Sequence, residues 1–193
     1  GDFNPDEVIK QIDKDFSYMQ SKPVPAYTFE PEKEIAKPIL KEVFGPESEN
    51  VMLGFRLPGA SHKDAQILNL VGKILTNGSA GLIDLNLILE QKLLGAYAFP
   101  YVLQDYSMLL LQGMPVQGQS LDDVRSLMLS QIEILKSGNF SDELIQSIVN
   151  NEKKAVIEAN ENYSSRASEL VGNFTSGVDW TQQVDYTYIL SNI

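Results

Sequence analysis

The side chains able to do chemistry are few, and their spacing argues against each familiar catalytic arrangement. His62 is the single histidine, and no cysteine occurs in the 193 residues. A zinc site built without thiolates needs several imidazoles joined by a carboxylate, so His62, beside Lys63 at a helix start, reads as surface structure. A Ser-His-acid triad would have to use the same histidine, yet no Gly-x-Ser-x-Gly elbow presents a nucleophile. Asp122-Asp123 and Asp142-Glu143 fall in first helical turns, where carboxylates interact favourably with the helix dipole. Asn77-Gly78-Ser79 and Asn173-Phe174-Thr175 match the glycosylation sequon, but Asn and Ser at turns and caps account for them equally well. Gly113, Gly118 and Gly138 lack the spacing of a phosphate-cradling loop. These residues assign no catalytic group and no metal ligand.

The elements that would position any site centre on Ile67 to Gly113, the densest apolar stretch, whose period changes twice. Ile67, Leu68, Val71, Ile74 and Leu75 recur at helical spacing, and Asn77-Gly78 ends that run. Ser79 then reads as the cap of a second helix through Leu82, Leu85, Ile88 and Leu89, closing at Gly95. The period drops to two: Tyr97, Phe99, Tyr101 and Leu103 would share one strand face, Asp105-Tyr106 would turn, and Met108 to Leu111 would return alongside.

Upstream, Asn4, Pro5 and Glu7 form a strong helix start for the apolar stripe Val8, Ile9, Ile12, Phe16 and Met19. Pro23, Pro25 and Pro31 then read as an extended linker. Glu34 to Phe44 and Asn50 to Leu57 look like two strands around Gly45-Pro46. Capping boxes are expected at Ser61 with Asp64 and at Ser120 with Asp123. Leu121 to Leu135 forms a helix that stops at Gly138, and Ser141 caps another running past Ile157. Beyond Tyr163, the residues around Leu170, Phe174 and Trp180 point to further helix, broken near Gly177.

Composition bounds the function classes. At 43% hydrophobic residues the chain can bury a core of its own. A formal charge of −11 without a Lys/Arg run repels polyanions, which argues against nucleic acid. No apolar run reaches the ~20 residues a membrane-spanning helix requires. The absence of Cys leaves the compartment open, a periplasm and a cytoplasm alike.

Several motifs in order, Gly1-Asp-Phe-Asn-Pro-Asp-Glu-Val8, Val51-Met-Leu-Gly-Phe-Arg-Leu-Pro58, Ile74-Leu-Thr-Asn-Gly-Ser79, Leu94-Gly-Ala-Tyr97 and Gly138-Asn-Phe-Ser-Asp-Glu143, resemble the pitrilysin (insulinase) family of zinc peptidases. The likeness spans nearly the whole chain and is to the second, non-catalytic domain of a half-molecule. It implies an α+β fold of two layers, a largely antiparallel sheet with helices mainly on one face, as in the mitochondrial processing peptidase type of metallohydrolase. It further implies that residues 1–24 are the C-terminal helix of a preceding zinc-type domain with its linker. Residues 25–193 would be the non-catalytic domain, short of the helix and strand with which such domains finish.

In that family zinc sits in the preceding domain, on His-x-x-Glu-His plus a distal Glu, and no such segment occurs here. Zinc would belong to the parent protein, with none in this fragment. The implied partners are the zinc-bearing domain of the same chain, a second half-molecule and an extended peptide substrate. The implied function is wall and scaffold of a metalloendopeptidase chamber. The alternative is a binding or assembly subunit of a catalytically dead relative. The family often places an Arg seven residues before a Tyr, both touching the peptide. Tyr97 fits the aromatic place and Glu90 stands where the Arg would be, so the resemblance marks Tyr97 and Glu90 as substrate-binding positions while removing the cationic fork.

Overall fold

The computed structural model describes residues 2–179 together with Thr181 and Tyr188. The chain divides into two compact units, Gly1–Pro46 and Glu47–Ile193. In the first, α1 (Pro5–Asp15) begins as its residues dictate: Asn4 Oδ1 accepts the Asp6 N–H at 3.0 Å and Pro5 occupies the first turn. Its stripe is exposed within the unit, with Val8 at 40% and Ile9 at 55%. Residues 34–44 carry no strand, so of the hairpin expected over 34–57 only the second arm is one. Pro38 removes a ladder donor from that first arm, and Lys37, Lys41 and Glu42 break its apolar alternation.

The second unit holds a three-stranded antiparallel sheet with β3 at its centre. β1 (Val51–Pro58) pairs with β3 (Tyr106–Met114), which also pairs with β2 (Gly95–Val102). The partner of β1 is thus a strand some fifty residues downstream rather than its sequence neighbour. Along β3 burial alternates: Ser107, Leu109, Leu111 and Gly113 are buried, while Tyr106, Met108, Leu110 and Gln112 are half-exposed. The buried face carries the helical layer. α2 (Lys63–Leu75) lies against β2, bringing Pro100 close to Gly72, and α3 (Leu121–Ser137) crosses β3 where Gly113 leaves room for Val124 and Met128. α4 (Asp142–Glu161) follows and adds Ile148 and Val149 to the same core. α5 (Tyr163–Ser176) has no buried residue and ends at Gly177 in the left-handed conformation (φ 68°). The continuation expected around Trp180 lies outside the described residues. The core of Leu75, Ile83, Leu87, Leu111, Val124 and Met128 is nearly sealed from water. Each such side chain contributes about 1.5–3 kcal/mol of transfer free energy.

Local chemistry sets most boundaries. Ser120 Oγ accepts the Asp123 N–H at 3.1 Å while Asp123 Oδ2 lies 2.6 Å from that hydroxyl, and Ser141 Oγ accepts the Glu143 N–H at 3.1 Å. Gly138 (φ 66°) closes α3. Two expectations are corrected. The cap of α2 is His62, whose Nδ1 accepts the Asp64 N–H at 3.2 Å, in place of a Ser61–Asp64 box. A neutral imidazole nitrogen in the extended N-cap position satisfies the same orphan donor that a hydroxyl would. The second helix is a π-helical element at Asp84–Leu89 and is not capped by Ser79. Asp84 Oδ2 instead gathers the N–H groups of Asn77, Gly78 and Gly81 at 2.8, 2.9 and 3.1 Å. Among the described residues no helix is long and apolar enough to cross a membrane.

Candidate functional site: the bare face of the sheet

The register puts one row of side chains on the face opposite the helices. Met52, Gln112 and Tyr97 stand side by side, then Gly54, Leu110 and Phe99, then Arg56, Met108 and Tyr101. Among the described residues of this unit no helix covers the row, and Met52, Tyr97 and Tyr101 are 57%, 38% and 50% exposed. The face exists because β2 alternates Ala96 and Ala98, small enough to lie under α2, with three aromatic residues pointing the other way. Gly54 carries no side chain over Leu110, which widens the apolar strip at its middle.

Hydrogen bonds brace one end of the strip. The Tyr97 hydroxyl donates to Gln112 Oε1 at 2.7 Å, and Gln112 Nε2 donates to Asn50 Oδ1 at 3.3 Å. The Tyr97 and Phe99 rings lie 6.0 Å apart, tilted by 31°. At the other end the Arg56 guanidinium lies 5.4 Å from the centre of the Tyr106 ring. Arg56 is the one charged residue in these three rows. Aromatic faces, thioethers and neutral amides can hold apolar side chains and hydrogen-bond a peptide reversibly.

Glu90 ends the π-helical element, and its Oε2 lies 2.6 Å from Lys92 Nζ. Both side chains are about half exposed, so the pair is worth at most ~1 kcal/mol. Gln91 follows in the left-handed region (φ 54°), the only such non-glycine residue among those described. Tyr97 therefore sits on the bare face, braced by a strand neighbour, whereas Glu90 belongs to the turn leading into β2. Leu103, expected beside Tyr97, lies beyond the strand: its N–H donates to the Tyr106 carbonyl and its own carbonyl accepts from Ala60. The turn residues are Gln104-Asp105, one position earlier than expected, because the β2–β3 ladder runs on to Val102 opposite Ser107. The sequence put Met52, Met108 and Leu110 on strands without marking them, or Gln112, as members of the face that carries Tyr97. The alternation of β3 signals two faces but not which of them meets Tyr97, since that depends on the turn.

The donor set does not fit zinc. His62 Nδ1 is committed to the Asp64 N–H, and among the described residues no three His, Cys, Asp or Glu side chains converge.

A second concavity, about 700 Å³, opens between the end of α2, residues 77–86 and α4, with Asn77, Leu82, Leu85, Phe140 and Leu144 in its wall. Its rim pair, Lys73 and Glu152, stands 3.7 Å apart.

Comparison with known proteins identifies the family of the chain. Residues 1–152 match the family model described as the peptidase M16 inactive domain. The chain is 25% identical over 192 residues to the zinc protease PqqE of Helicobacter pylori, a match that covers 96% of this chain and 43% of that protein. Among solved structures, a protease from Helicobacter pylori superposes with a TM-score of 0.83 at 21% identity, over 100% of this chain and 48% of the other. The periplasmic protease PqqL from Escherichia coli gives 0.66 at 14% identity, over 100% and 22%. At these identities the structural matches establish the fold, and the chain spans less than half the length of these relatives.

Proposed function

Because the chain belongs to the peptidase M16 inactive-domain family, we propose that it is the non-catalytic domain of a zinc-dependent metalloendopeptidase and forms part of the wall against which an extended peptide is held. The observation that carries the reading is the bare, nearly uncharged aromatic face of the sheet, with Tyr97, Phe99, Tyr101, Met108 and Leu110 in adjacent rows. Such a face suits reversible contact with apolar side chains of many sequences, which is what a chamber wall requires. Zinc and the general base would come from a separate domain of the same protein, where the metal activates water. This chain's own task is to hold and orient the peptide and to support that domain.

The test is peptide hydrolysis by the full-length protein. Tyr97→Ala and Tyr101→Ala are expected to raise KM several-fold with a smaller effect on kcat, since they remove binding without touching the reacting groups. A full-length protein that binds peptides but never cleaves them, with zinc supplied, would transfer the face to a binding or assembly subunit. Unchanged KM in both variants would overturn the wall contact.

A further inference from the structure

Asn77 is followed by Gly78, the pairing in which a backbone nitrogen most readily reaches a side-chain carboxamide, because glycine has no Cβ to hinder approach. In that reaction the Gly78 nitrogen loses its proton to solvent and bonds to Asn77 Cγ. The Cγ–Nδ2 bond breaks and ammonia leaves, giving a cyclic imide. Water then opens the imide at either carbonyl to aspartate or isoaspartate. The net change is one water consumed and one ammonia released, with no redox partner.

The fold restrains both reactants. The Gly78 N–H donates to Asp84 Oδ2 at 2.9 Å, so removing its proton would set an amide anion against a carboxylate. Asn77 Oδ1 accepts from the Ser79 N–H at 3.1 Å, the Ser79 hydroxyl at 3.2 Å and the Ala80 N–H at 2.9 Å, while Nδ2 donates to the Lys73 carbonyl at 3.2 Å. Asp84 Oδ2 also takes the Asn77 N–H at 2.8 Å and the Gly81 N–H at 3.1 Å. We propose that Asn77–Gly78 is a latent deamidation site that Asp84 keeps closed in the native chain and that local opening of this loop exposes.

The site has reach as well as access. Asn77 borders the groove of about 700 Å³, so water can attend the imide. The preceding residue, Thr76, takes the Ala98 N–H on its hydroxyl at 3.0 Å at the edge of β2. Isoaspartate at 77 would insert a methylene into the main chain beside that contact, on the strand that carries Tyr97.

The intact protein is incubated in mildly alkaline buffer, native or in urea, and the tryptic peptide 74–92 is followed by mass and by enzymatic isoaspartate methylation. Conversion in native buffer is expected to be slower than in urea by about tenfold or more. Asp84→Asn, which keeps the shape but loses the charge, and Asp84→Ala are expected to speed native conversion toward the urea rate. Equal rates in native buffer and urea would overturn the proposal, and that comparison needs no variant. So would either variant if it keeps its circular dichroism and converts at the unmutated rate.

Discussion

Tyr97 and Gln112 face each other across the β2–β3 ladder, and the tyrosine hydroxyl donates to Gln112 Oε1 at 2.7 Å. That bond restrains the ring on the exposed face, and it joins Tyr97 to Asn50 through the far side of the same amide. A ring held in place beforehand loses less freedom on binding, which favours the proposed peptide contact.

Tyr97→Phe is expected to cost no more than ~1 kcal/mol of stability, because the bond is exposed and water replaces the partner. In the full-length protein Phe should retain most of the peptide affinity that Ala loses. A Phe variant as impaired as Ala would assign the contact to the hydroxyl instead of the ring. Glu90→Gln should leave stability within ~0.5 kcal/mol, as an exposed pair with Lys92 predicts. Residues 1–193 assayed alone with zinc are expected to show no turnover.

Asp84→Ala should destabilise the second unit by about 1–3 kcal/mol, measured by urea denaturation. The carboxylate gathers three backbone N–H groups, of which those of Asn77 and Gly81 are partly buried. A loss below the error of the midpoint would mean that water satisfies these donors without help.

Gly113→Ala tests the α3–β3 contact. A Cβ at Gly113 would lie 2.8 Å from Val124 Cγ1 and 3.3 Å from Met128 Cγ, so α3 or its side chains must shift at a cost of about 1–3 kcal/mol. Pairing the change with Met128→Ala should recover part of that loss, and a strictly additive double variant would contradict the steric origin.

Gln91→Gly is expected to stabilise the chain by about 0.5–1 kcal/mol, because a left-handed L-residue is strained where glycine is not. A lowered thermal midpoint would show that the Gln91 side chain contributes more than the strain costs.

His62→Ala removes the acceptor for the Asp64 N–H and should cost about 0.5–2 kcal/mol, whereas His62→Ser should restore the cap. Equal loss in both variants would point to a role for the ring beyond its Nδ1.

The sequence by itself determined the features that depend on a few neighbouring residues. Asn4, Ser120 and Ser141 cap helices within three positions of themselves, Gly138 and Gly177 end helices through their own φ, and the alternation around Tyr97 marks a strand. The ordered motifs from Gly1 to Glu143 also pointed to the family, whose model matches residues 1–152. Tertiary structure decided everything that needed a distant partner. Strand β1 could pair upstream or downstream, and only β3 offers it a complete ladder from Val51–Gly113 to Pro58–Tyr106. The segment after Asn77 had the apolar spacing of an α-helix. It became π-helical where Asp84 holds the preceding loop and Asn86 Nδ2 reaches Gln131 Oε1 on α3 at 2.8 Å. Likewise the period of two in β2 and β3 defined two faces without choosing between them. The choice fell to packing: Ala96 and Ala98 admit α2, Gly113 admits α3, and the bulkier aromatic residues are left on the side that no helix among the described residues of this unit covers.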